Sequence, residues 1–260
     1  MIDYWRHYMK LPVNKLEIAH AFGRAAVHYN KFSELQRLIG DKMVSLLPFN
    51  FTGDLLDAGC GPGWYSTFWR KRGYRVTAID ISEKMLIQAR NNTSADRYLI
   101  GDIDSLPLLK ESMDIVWSNL VVQWSTDLRR ALCHFVRVTK IGGFIVFSTL
   151  IAGSLQEIHD AWRHIDDYSH ANHFLSKDDI YYACKGFTVN LKHQIITLYF
   201  PTAISAMRSL KGIGATYLHQ GRNNNILLTR DRLAKLETFW PHDARGYPLT
   251  YQLIYGIINK

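Results

Sequence analysis

The sequence predicts an α/β fold in which a mostly parallel sheet carries helices on both faces. Between Asp54 and Leu150, short β-rich runs alternate with helical patterns, the rhythm of βαβ units. A glycine-rich loop, Asp57-Ala58-Gly59-Cys60-Gly61-Pro62-Gly63, separates the first apolar run from a helix. Acidic residues Asp80 and Asp102 then close the second and third runs, at strand ends where open α/β sheets hold their ligands.

The predicted strands are Asp54–Ala58, Arg75–Asp80, Arg97–Ile100, Asp114–Asn119 and Gly143–Leu150. A helix over Trp64–Arg72 stops at Gly73, which tolerates the left-handed conformation of a helix end. Ser82 stands as N-cap of a helix over Glu83–Asn91. Another helix fits Thr126–Thr139, with Leu128, Leu132, Phe135 and Val136 on one face and Gly142-Gly143 as its stop. Upstream, Ile18, Phe22, Ala25, Ala26 and Tyr29 recur at helical spacing and predict one helix over Lys15–Leu47. Downstream, helices are expected over Leu155–Asp167, Pro201–Gly212 and Thr229–Phe239. Phe187–Phe200 reads as a long strand or a strand pair, and Tyr247–Ile258 as a last strand. No repeat and no Pro/Gly/Ser-rich linker divides the chain. Residues 1–50 (a helical lid), 51–150 (the ligand-binding core) and 151–260 (substrate-side insertions) therefore read as one domain.

Hydrophobic residues at 47% and charged residues at 21% suit a folded globular chain and exclude a disordered or fibrous one. The longest apolar stretch, Gly142 to Ala152, is broken by Ser148 and Thr149 and falls short of the ~20 residues of a bilayer span. Met1 to Lys10 contains no apolar signal core, so a cytoplasmic location is expected. Cys60, Cys133 and Cys184 form no C-x-x-C pair, which argues for reduced thiols rather than disulfides or a zinc site. A net charge of +8 favours an acidic partner, whether nucleic acid, anionic membrane or protein.

The loop points to the ligand. Its glycines let the backbone turn and approach a ligand closely, but a dinucleotide-binding loop would carry glycine where this chain has Trp64. The phosphate-free cofactor S-adenosylmethionine (SAM) suits Asp57, Gly59, Gly61 and Gly63 better. Asp80, followed by Ile81, is placed to accept hydrogen bonds from both ribose hydroxyls. Asp102, followed by Ile103, is expected at the adenine edge, and Asn119 at the end of the fourth strand. Together these features resemble the class I SAM-dependent methyltransferases, which implies a seven-stranded, mostly parallel Rossmann-like sheet.

The flanks are more specific. The blocks Ile18–Tyr29, Leu56–Trp64, Trp117–Trp124, Ala206–Ala215 and Tyr247–Tyr251 resemble the malonyl-acyl-carrier-protein O-methyltransferases of biotin synthesis from about Val13 onward. Met1 to about Pro12 lies outside the likeness. The resemblance implies methyl transfer from SAM to the free carboxylate of a malonyl thioester on acyl carrier protein, with the N-terminal helix as a lid that brings Tyr29 to the cofactor. A carboxyl group of pKa about 3–4 is already an anion at neutral pH, so the nucleophile needs no general base. Alignment and exclusion of water remain the tasks of the site.

The acceptor carboxylate calls for a cation. Arg208 is the expected one, with Lys211 three residues on along the same helical face and Ala203, Met207 and Leu210 as the apolar side. His28, Gln123 and Trp124 are expected in the acceptor pocket, and Arg24 is the candidate partner of the SAM carboxylate. The acidic carrier protein gives the positive charge a use, with Arg208, Lys211, Arg222 and Arg230 as candidate contacts. His159, His164, His170 and His173 match no zinc spacing, so no metal is expected. The competing readings are a nucleic-acid methyltransferase, another small-molecule O-methyltransferase including one acting on malonyl-CoA, and a non-catalytic SAM-binding regulator. Against the first, Ser118-Asn119-Leu120-Val121 stands where an amino-methylating base enzyme would show an Asn/Asp-Pro-Pro-aromatic block.

Overall fold

In the computed structural model, which describes residues 13–47, 52–218 and 229–260, the N-terminal segment breaks into three helices rather than one. They are α1 (Lys15–Ala25), α2 (Tyr29–Phe32) and α3 (Glu34–Val44). Asn14 starts α1 by accepting hydrogen bonds from the Leu16 and Glu17 amides. The second break comes at Ser33, where side chains compete for the main chain. The Asn30 carbonyl accepts from Ser33 Oγ at 3.4 Å and from Arg37 Nη1 at 2.9 Å. Met1 to Pro12 and the candidate contact Arg222 lie outside the described residues.

The core then alternates β1 (Asp54–Ala58), α4 (Trp64–Arg70), β2 (Arg75–Asp80), α5 (Glu83–Asn91), β3 (Arg97–Ile100), β4 (Met113–Asn119), α6 (Leu128–Val138) and β5 (Thr139–Leu150). Next come α7 (Gln156–Arg163), α8 (Lys177–Ala183), β6 (Thr188–Phe200), α9 (Ala203–Gly212), α10 (Arg230–Phe239) and β7 (Tyr247–Asn259). Among the described residues the sheet has seven strands in the order β3-β2-β1-β4-β5-β7-β6, and β7 alone runs against the others. The Rossmann-like expectation holds, and Phe187–Phe200 resolves into one long strand rather than a pair.

One strand boundary and one added helix depart most from the sequence reading. Strand β5 begins directly after α6, before Gly142-Gly143, because Thr139 caps the helix end by donating its hydroxyl to the Phe135 carbonyl at 2.7 Å. Helix α8 adds an element that the apolar pattern does not announce; Ser176 and Asp179 form a capping box at its start. Helix α5 keeps its predicted bounds, but Ser82 does not cap it with its side chain.

Alternation along the strands sends side chains into two cores. Leu55, Trp117 and Val146 face one side, against Ile39 and Met43 of α3, Tyr65 and Trp69 of α4 and Trp162 of α7. Leu56, Val116 and Phe147 face the other, against Leu132 and Phe135 of α6 and Ile180 of α8. At roughly 1.5–3 kcal/mol for each fully buried large side chain, these two layers hold the strand ends rigidly in register. The sequence order reverses between β1 and β4, the place where an open sheet parts to admit a ligand.

Candidate active site

The carboxyl ends of β1, β2 and β4 meet under the N-terminal helices. The loop after β1 is stitched to β2 through the Gly59 and Cys60 amides, which donate to the Ile79 carbonyl at 2.7 and 2.9 Å. Gly59 has φ 80°, and a Cβ there would lie 2.3 Å from Cγ2 of Val121, so neither the conformation nor the space admits a side chain. Gly61 faces open space. Gly63 does something else: it is the N-cap of α4, and a Cβ on it would meet Ser94 Oγ at 2.2 Å. It lines none of the three cavities at these strand ends and packs at the start of α4 instead.

Gly59, Gly61, Asp80, Ile81, Asp102, Ile103 and Asn119 line one cavity of about 630 Å³, closed from above by Lys15, Ile18 and Phe22 of α1. Asp80 is buried, with Oδ2 accepting from the Gly61 amide at 2.9 Å and Oδ1 from the Ser82 amide at 2.8 Å. Burial raises its pKa to about 6, against the pull of those amides. Asp57, buried one strand away, accepts a 2.6 Å bond from Ser66 Oγ. Its own burial, with the Asp80 charge adding to it, raises its pKa to about 7. Asp102 Oδ1 is occupied by Lys15 Nζ at 2.9 Å and the Asp104 amide at 3.0 Å. Lys15 also reaches Asp104 Oδ2 at 2.8 Å, which ties the lid helix to the rim.

Asn119 has its side chain inside the protein. Nδ2 donates to the Gln36 carbonyl at 2.8 Å, and Oδ1 accepts from Ser148 Oγ at 2.9 Å. It therefore fastens α3 to the end of β4. The next residue, Leu120, takes φ 56°, a left-handed conformation costly for a side-chain-bearing residue and a mark of functional turns.

A second cavity, about 640 Å³, lies beyond a wall of Phe22, Tyr29, Leu120 and Trp124 that it shares with the first. The rings of Phe22 and Trp124 meet edge to face at 5.3 Å. Gln123 lines this second cavity with Gln36, and the Oε1 atoms of both are buried without a partner. A third, about 430 Å³, runs along the outer side of the glycine loop past Asp57, Ser33 and Arg37. Tyr29 lines all three. Burial, and then the charge of Asp80, hold its phenol well above the ordinary value, so it stays a hydrogen-bond donor at neutral pH.

Four expected residues are not brought to these cavities. Arg24 and His28 are exposed on the outer side of the lid. Arg208 and Lys211 are exposed on α9, because that helix turns Ala203 and Ala206 into the core and Leu210 toward the second cavity. Conversely, Lys15, Gln36, Arg37 and His170 line cavities although no motif marks them for it. Of the histidines, His159 stacks on His173, His164 on Phe239 and His170 on Trp162. Among the described residues, no three His, Cys, Asp or Glu side chains gather where they would hold a metal ion.

The family described as "Methyltransferase domain" matches residues 56–147. A malonyl-acyl-carrier-protein O-methyltransferase of Erwinia billingiae is 49% identical over 248 residues, covering 95% of this chain and 98% of that protein. The protein of the same name from Salmonella typhimurium is 48% identical over 248 residues, again covering 95% of this chain and 98% of the relative. Among solved structures, a putative methyltransferase of Bacillus halodurans superposes with TM-score 0.60 at 18% identity, covering 84% of this chain and 96% of its own. A geranyl diphosphate methyltransferase solved in complex with SAM superposes with TM-score 0.52 at 14% identity, covering 86% of this chain and 85% of its own.

Proposed function

The chain belongs to the malonyl-acyl-carrier-protein O-methyltransferase family, and on that premise we propose that it moves the methyl group of SAM onto the free carboxylate of a malonyl thioester carried by acyl carrier protein. The observation that carries this reading is the pair of cavities meeting at one shared wall. One is lined by a glycine loop, the buried Asp80 and the half-buried Asp102, the other is largely apolar, and Phe22, Tyr29, Leu120 and Trp124 stand between them.

The residues present fit SAM. Asp80 is a buried acceptor with lone pairs left for ribose hydroxyls, Gly61 leaves room against the loop, and Ile103 with the Asp102 carboxylate suits an adenine face and its amino edge. Arg37 replaces Arg24 as the candidate partner of the amino-acid carboxylate. It lines the cavity along the loop, is fixed by bonds to Ser33 Oγ at 2.8 Å and the Asn30 carbonyl, and stands over the Trp64 ring at 5.2 Å. When bound, SAM supplies an electrophilic methyl group on a positively charged sulfur.

The chain's own work is to align and to dry. The acceptor carboxylate is ionised at neutral pH, so no residue needs to remove a proton. The apolar second cavity strips water from it and so raises its reactivity. Tyr29, at the junction of the three cavities, donates its hydroxyl to the reacting group and fixes the approach. Arg208 and Lys211, outside the cavity but on the helix that lines it, serve the acidic carrier protein rather than the carboxylate.

The decisive assay offers labelled SAM with malonyl-acyl-carrier protein, malonyl-CoA and bulk RNA in parallel. Base-stable label on RNA with none on either malonyl thioester would overturn the proposal. Methyl ester formation on the carrier protein above that on malonyl-CoA is the expected result.

A further inference from the structure

On the methyl transfer proposed above, the acceptor brings a carboxylate into the second cavity. Leu35, Leu150, Phe174 and Leu210 make the walls of that cavity apolar, and among the described residues lining it there is no lysine or arginine. An anion entering such a place gives up its hydration and needs hydrogen-bond donors in exchange.

Two primary amides stand ready there. Gln36 and Gln123 both line the cavity, and the Oε1 atom of each is buried with no partner among the described residues. An acceptor left in this way costs a fold about 1–3 kcal/mol. The main chain on which each amide is mounted is fixed. Gln36 belongs to α3, and its carbonyl accepts from Asn119 Nδ2 at 2.8 Å. Gln123 sits in a single 3-10 turn, Val122–Trp124, between two buried neighbours. Gln36 also lines the third cavity, along the glycine loop, so it stands where cavities adjoin, as Tyr29 does.

A ligand can satisfy such an amide in two ways. It can bring a donor to the oxygen, or it can bring an acceptor and draw the amide through a half turn, so that the NH2 end faces it. The two ends have nearly the same shape, and the terminal torsion is roughly two-fold. At neutral pH a malonyl group carries acceptors only, in its ionised carboxylate and its thioester carbonyl. It therefore calls for the NH2 ends. We propose that Gln36 and Gln123 form a neutral clamp that binds the malonyl carboxylate of the acceptor through their Nε2 groups. Uncharged donors hold the anion without cancelling its charge, and the attacking oxygen keeps its electron pair. The new bond is oxygen to methyl carbon, and the bond broken is sulfur to methyl carbon. The electron pair of that bond returns to sulfur, and no proton moves. The product ester has lost the charge that strengthened the two hydrogen bonds, so the clamp that admits the acid also lets the ester go.

The test measures binding of malonyl-acyl-carrier protein and of its methyl ester to the full chain saturated with S-adenosylhomocysteine. Gln36→Leu and Gln123→Leu nearly keep the side-chain volume and remove the amide. Each should weaken binding of the acid by about tenfold or more and leave that of the ester within about threefold. Urea denaturation should find both variants at least as stable as wild type, since the fold loses no hydrogen bond to the buried oxygen. If either is destabilised, Gln36→Met or Gln123→Met, unbranched like glutamine, takes its place with the same binding readout. Equal loss for acid and ester would put the amides on the part of the ligand common to both and overturn the assignment, as would no loss for the acid. Wild-type protein that does not methylate the malonyl thioester at all would instead overturn the function proposed above.

Discussion

Asp80 shows how much one buried carboxylate decides. It sits at a strand end with two amides already aimed at it, yet burial raises its pKa to about 6, with Asp57 beside it at about 7. Ribose hydroxyls donate best to the ionised form, so bound cofactor favours loss of the proton. SAM affinity should therefore fall as pH drops below about 6 and level off above about 7, as titration calorimetry across that range would record. Asp80→Asn should flatten this dependence and weaken SAM binding by about 10–100-fold, the worth of hydrogen bonds to a charged group. An undiminished pH dependence in the variant would show that another group controls it. Tyr29→Phe keeps the ring at the junction of the cavities but removes the donor. Single-turnover methylation should slow by about tenfold or more while SAM affinity changes little, since the lost bond is made to the reacting group.

The N-terminal helices illustrate what pattern alone conveys at the scale of an element. Their apolar spacing was legible, but the breaks near Asn30 and Ser33 were not, because they depend on side chains bonding back to the main chain. Helix α3 packs on α4 through Gly40, where a Cβ would lie 2.1 Å from Cζ of Tyr65. Tyr65 in turn donates to the Arg37 carbonyl at 2.7 Å and to Asp41 at 2.9 Å, which locks α3 onto α4. Alanine normally improves a helix by about 1 kcal/mol over glycine. Here Gly40→Ala should destabilise by about 1–3 kcal/mol net, because the methyl group displaces a ring held by two bonds. Urea denaturation measures the sign directly. A stabilised variant would mean that Tyr65 can give way. The same reasoning explains α9: its amphipathic pattern was clear, yet the residue it brings to the cavity is Leu210, with Arg208 and Lys211 turned to solvent.

Over the whole molecule, the net charge of +8 and the exposed cations of α9 give the proposed encounter with an acidic carrier protein its test. The double variant Arg208→Glu with Lys211→Glu should raise KM for malonyl-acyl-carrier protein and reduce its salt dependence, leaving KM for malonyl-CoA nearly unchanged. Parallel losses on both substrates would return these two residues to the cavity. The raised pKa values of Asp57 and Asp80 also link the cofactor site to stability. Their folded-state values lie above those of the unfolded chain, so the folded form holds more protons between about pH 4 and 7. These two groups therefore make the free protein less stable as pH rises through that window, and bound cofactor offsets the loss.

The sheet, its order of elements and the loop proposed to receive the cofactor follow from local signals: alternating apolar runs, positive-φ glycines and acidic residues at strand ends. Such features lie within a few residues of one another, and Asp57, Gly59, Gly61, Asp80, Asp102 and Ile103 duly line the cavities. The blocks outside the core were enough to identify the family. What tertiary packing alone decided was which residues of distant helices reach these adjoining cavities. Lys15 comes from α1, Arg37 from α3 and His170 from beyond α7, and no spacing in the chain relates them. Gly63, by contrast, belongs to the loop motif but was claimed by Ser94 and Ala89 in the packing of α4. Periodicity fixes how residues are spaced around a helix, while the direction each one finally faces depends on what the rest of the chain packs against it.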